Sequence, residues 1–190
     1  MKVEFKKVAD RRYAVRILRD GGPVLEMNPA PGFDELMPHD LCHLIVEQVL
    51  RIENAIFGQA AKGAGTFQIQ PSESSNTRND SRRRRKVRRK GKDSVRRHHE
   101  DYLRSERAAY VCWQHWLAES SEAALKDRAA GMRKNADSVF DQMPAAERAL
   151  YTKENLERVG RRMDELSARW QSLKTGESMT VDWQLPDEAV

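Results

Sequence analysis

The chain has 190 residues, 39% hydrophobic and 33% charged, with a formal net charge of +5. That length suits one packed domain, and the sequence has no apolar run of about 18 residues with which to span a membrane. The charge is unevenly placed: residues 82–97 hold eleven Lys or Arg and one Asp, a net +10, so the remainder, with 23 basic and 28 acidic residues, carries −5.

The start, MKVEFKKVADRR, mixes charges and has no apolar stretch, so no secretory leader is expected. Val3 and Phe5 alternate with charged residues, and after a short polar break Tyr13, Val15 and Ile17 do the same. Period 2 predicts strands buried on one face. RDGGP at 19–23 predicts a turn, VLEMN a third strand, and PAPGFDELMP a loop. A helix is expected from Pro38, whose missing N–H costs nothing in a first turn. It runs over 38–57 and is apolar on more than one side, through Leu41, Cys42, Leu44, Ile45, Val46, Val49 and Leu50.

Residues 70–94 have almost no apolar content, which predicts a disordered Arg-rich insertion. Residues 1–69 and 95–190 are expected to form a single domain around it. Three helical stripes follow: Tyr102, Glu106, Ala109, Trp113 and Trp116; Leu125, Ala129, Met132, Ala136, Val139 and Met143; Leu156, Val159, Met163, Leu166, Trp170 and Leu173. The first two are out of phase, which predicts a break near ESSE at 119–122. In the tail, Met179, Val181, Trp183 and Leu185 alternate with polar residues. A lone strand is unstable, so this one should pair with the N-terminal strands. The expected fold class is α+β: a small antiparallel sheet from both ends of the chain, packed against several long helices.

The stretches DELMPHDLCHLIVE, FGQAAKGAGTF and MDELSARWQSLKTGESMTVDW resemble a group of small uncharacterised bacterial proteins over roughly residues 2–67 and 155–185. The resemblance implies a bacterial cytoplasmic protein and no particular activity. It assigns no functional residue. Cys42 and Cys112 lack a C-x-x-C spacing, so free buried thiols are expected.

Two features bear on function. The first is H-D-x-x-H at His39, Asp40 and His43. Histidines four apart on a helix share a face and can share a metal. In the related H-E-x-x-H signature the residue after the first histidine is the general base, which would be Asp40 here. The alternative is structural: Asp40 meets the positive helix end, and His43 and Glu47 form a polar pair or pocket. The second is the basic run, Arg82, Arg83, Arg84, Arg85, Lys86, Arg88, Arg89 and Lys90, which suits sequence-independent contact with nucleic acid or another polyanion, or else a solvated linker. The leading expectation is a non-enzymatic binding protein that uses this basic loop and needs no cofactor. The alternative is a metal-dependent hydrolase, holding a divalent metal such as zinc. A protein partner or self-association through the helical stripes is also compatible with the pattern.

Overall fold

The computed structural model describes residues 1–63, 65–69 and 78–184, and within 78–84 only the Arg82 side chain. Residues 70–77 of the expected insertion, Leu185 of the tail, and the Arg83 and Arg84 side chains lie outside what it describes.

Strands β1 (Lys2–Ala9) and β2 (Arg12–Leu18) form a hairpin; β3 (Leu25–Ala30), β4 (Gln68–Ile69) and β5 (Ser178–Asp182) complete the sheet. The order is β4-β3-β2-β1-β5, antiparallel throughout. The two chain ends do pair: Val3 lies between Ile17 and Val181, and Phe5 between Val15 and Met179. All six are buried, so cross-strand apolar pairs fix the register. The fold is α+β, as the alternation predicts.

Seven helices are described: α1 (His39–Val49), α2 (Ile56–Ala61), α3 (Arg78–Arg97), α4 (His99–Glu119), α5 (Ala123–Asp141), α6 (Ala145–Arg148) and α7 (Lys153–Ser172). The α7 stripe buries Val159, Met163, Leu166 and Trp170. Trp170 meets Tyr13 of β2 edge-on, with ring centroids 6.0 Å apart. Helix α1 buries Asp40 through Glu47 without interruption, because sheet, α4 and α7 residues join it in one core. The break at 119–122 is present, with Ser120 in extended backbone. Thr152 caps α7 by accepting from Asn155 N at 3.2 Å.

Two expectations are corrected. The helix over 38–57 is two helices. Arg51 takes φ +54°, and Ile52 N donates to Glu47 O at 2.9 Å, which turns the chain before α2. Second, residues 78–94 of the segment expected to lack order belong to a helix, α3, which continues to Arg97. Arginine and lysine are good helix formers, and few contacts suffice to dock such a helix. Gly91 lies so close to Gly65 O that a Cβ there would stand 2.2 Å from it. Ser94 donates to Gln59 Oε1, and Lys90 Nζ reaches Lys62 O at 3.0 Å. Val87 packs against the core.

Candidate metal centre

The centre begins where β3 hands over to α1. His39 is the first residue of α1, and its N–H donates to Gly32 O at 2.9 Å. Gly32 has φ +76°, and a Cβ there would come within 2.6 Å of His39 Cβ. Glycine is therefore needed for the loop to press against His39. One turn later His43 stands with its ring centroid 4.4 Å from that of His39, the planes nearly perpendicular. Glu106 reaches the pair from α4, with Oε2 3.5 Å from His43 Nε2.

One ligand atom from each of His39, His43 and Glu106 lies within 4.8 Å of the others, so the group could hold a metal. Zinc at about 2.1 Å from each ligand in tetrahedral geometry sets them about 3.4 Å apart. Closing that gap needs movement of about an ångström. His39 and Glu106 are exposed enough to supply it, while His43 is 1% exposed and fixed.

A buried chain fixes it. His43 Nδ1 is 2.7 Å from Ser105 Oγ, and Ser105 Oγ donates to Glu47 Oε1 at 2.9 Å. Because Ser105 gives its one proton to Glu47, it accepts from His43 Nδ1–H. That tautomer leaves the Nε2 lone pair free, and Nε2 is buried without a hydrogen-bond partner. A histidine that donates one ring N–H inward and presents the other nitrogen outward is the arrangement metal sites use.

The charges also suit a cation. Glu106 is held below the usual carboxylate range chiefly by His43 close beside it, against a smaller opposing effect of burial. Burial, with His43 beside it, lowers His39 and favours the neutral imidazole a metal needs.

Glu47 has a second task. Oε1 accepts from Ile56 N at 3.0 Å, and Oε2 from Phe57 N at 2.8 Å and Gly58 N at 3.4 Å. It satisfies the free N–H groups at the start of α2. Its burial raises its pKa to about 7, with His43 and these bonds pulling the other way.

The remaining expected residues are placed as follows. His43 and Glu47 are brought together, through Ser105. Asp40 is 5% exposed, and its Oδ2 accepts from Tyr13 Oη at 2.5 Å; Tyr13 also contacts Pro31 O. Burial raises the Asp40 pKa, and its bonded carboxyl oxygen is not among the three clustered ligand atoms. Of the three other histidines, His99 is the first residue of α4, His98 precedes it, 3.9 Å from Asp101, and His115 lines a groove beside α7. None of the three joins the pair. Cys42 and Cys112 are free and buried; burial pushes both thiols up, Cys112 to about 12. Arg82, Arg85, Lys86, Arg88, Arg89 and Lys90 are exposed on α3.

Sequence reasoning did not assign Glu106 or Ser105. The available signal was Glu106 itself, a carboxylate inside the apolar stripe of α4. No family model matches the chain, and no curated protein and no solved structure matches it. No residue's role is therefore borrowed from a relative.

Proposed function

We propose that this protein binds a divalent first-row metal ion through His39, His43 and Glu106. Two imidazoles and one carboxylate leave coordination positions open for water or a ligand, as in hydrolytic zinc and non-haem iron sites. The observation that carries the reading is the buried Glu47–Ser105–His43 chain, which turns the Nε2 lone pair toward the other two ligands. Water on such an ion is acidified and polarised, which is the chemistry of the hydrolase alternative. Asp40 is a weaker candidate for its base, since Tyr13 already occupies its carboxyl.

Titration of the metal-free protein with Zn²⁺ and Co²⁺ tests this. One ion per chain is expected, with a tetrahedral or five-coordinate Co²⁺ spectrum. His39→Ala and Glu106→Gln each replace a largely exposed ligand, so both should fold and bind at least tenfold more weakly. Wild-type affinity in both variants would reject the centre.

The second reading is non-enzymatic polyanion contact through the basic segment. It is favoured by the exposure of Arg82, Arg85, Lys86, Arg88, Arg89 and Lys90 on an ordered helix.

A further inference from the structure

His99, which lines a cleft beside the basic helix, is seven residues before Glu106 of the candidate centre on the same helix, α4. Between α3 and the β4 segment is a cleft of about 680 Å³, lined on the helix side by Arg88, Lys92, Arg96 and His99 and opposite by Thr66 and Gln68. The cations are spaced four residues apart, so they form a ladder with steps of about 6 Å. Arg96 pairs with Asp93 at 3.0 Å, whereas Arg88 and Lys92 have no carboxylate partner among the described residues.

His99, at the end of this cleft, is the first residue of α4. The bonds His98 N to Ser94 O (2.9 Å) and Tyr102 N to His98 O (3.1 Å) lead the backbone through the junction. Along α4, His99, Leu103 and Glu106 recur at 4-3 spacing and share a face. Leu103 is exposed between the other two. His99 and Glu106 are therefore about 10 Å apart along the helix axis. A chain laid in the cleft and continued along that face of α4 would reach Glu106.

We propose that the cleft and the centre form a single binding site for the phosphodiester backbone of a nucleic acid. Arg88, Lys92 and Arg96 hold successive phosphates, and the ion at His39, His43 and Glu106 meets a further one. Repeating negative charge matches a repeating ladder of cations, and counterion release drives the contact. Phe67, beside the cleft, is buried, so no base stacks on it and recognition is of the backbone. The joint site rests on the metal reading above; the cationic cleft does not.

The test is binding of labelled single-stranded DNA and RNA oligonucleotides across salt, with and without Mn²⁺, and Mn²⁺ binding measured separately without oligonucleotide. Arg88→Gln with Lys92→Gln should weaken binding about tenfold or more and flatten the salt slope by roughly 1.4. Mn²⁺ should tighten binding several-fold in the wild type but not in His39→Ala or Glu106→Gln. An unchanged slope in the double variant overturns the cleft. Mn²⁺ that binds but leaves oligonucleotide affinity unchanged overturns only the joint site. Failure of Mn²⁺ to bind at all overturns the centre and the joint site together. Anionic lipid vesicles bound as tightly as the oligonucleotide at equal salt would overturn the assignment to nucleic acid.

Discussion

Ser105 Oγ donates to Glu47 Oε1 across 2.9 Å, joining α4 to α1 inside the core. Both groups are fully buried. The same hydroxyl accepts from His43, so one serine sets the tautomer of a histidine whose other nitrogen faces Glu106.

Ser105→Ala should therefore act on stability and on metal binding together. It leaves His43 Nδ1 without a partner and takes one from Glu47, both in a buried setting. The expected cost is about 1–3 kcal/mol in urea denaturation. Losing the support behind a ligating histidine should also weaken metal binding by about 10–100-fold. A variant that loses stability but keeps wild-type metal affinity would show that the chain only packs α4 on α1.

Glu47 makes the protein's stability depend on pH in an unusual direction. Its pKa in the fold is about 7, raised from 4.5 by burial. Between these values the folded state binds more protons than the unfolded state, so stability falls as pH rises. The contribution is fully present below about pH 4.5 and lost through pH 7. The rise from 4.5 to about 7 corresponds to about 3 kcal/mol. Asp40, also raised by burial, acts in the same direction. Comparing wild type with Glu47→Gln between pH 5 and 8.5 isolates Glu47. The variant should be the less stable at pH 5, because an amide offers one acceptor oxygen to several N–H groups. The gap should narrow toward pH 8.5; a constant gap would mean that Glu47 does not titrate in this range.

The sheet was legible because its register is written as period-2 apolar residues at both chain ends; Val3, Phe5, Met179 and Val181 needed only each other. The α7 stripe was legible for the same reason at period 3.6. The end of α1 was not. Leu50 and Ile52 continue the apolar pattern, no Gly or Pro interrupts it, and the turn at Arg51 accompanies Glu47 reaching the N–H groups of α2. The centre was half legible: His39 and His43 are neighbours by spacing, but Glu106 is 63 residues beyond His43, and only packing of α4 on α1 unites them.

Composition misjudged α3 because it counts apolar residues, whereas this helix docks by close backbone approach at Gly91. The substitution Gly91→Ala sets two effects against each other. Alanine favours a helix interior by up to about 1 kcal/mol over glycine. Its Cβ would stand 2.2 Å from Gly65 O, a backbone atom that cannot rotate away. The clash should win locally, since it acts where α3 meets the rest of the protein, while the propensity gain acts along α3 alone. The expected result is faster trypsin cleavage within residues 82–92 and lower amide protection there. The unfolding midpoint should hardly change, because the core of β1, β2, α1 and α7 does not include Gly91. Oligonucleotide binding should also weaken, because displacement of α3 opens the cleft lined by Arg88 and Lys92. Slower cleavage with a higher midpoint would mean that propensity prevails and that α3 is not seated on Gly65.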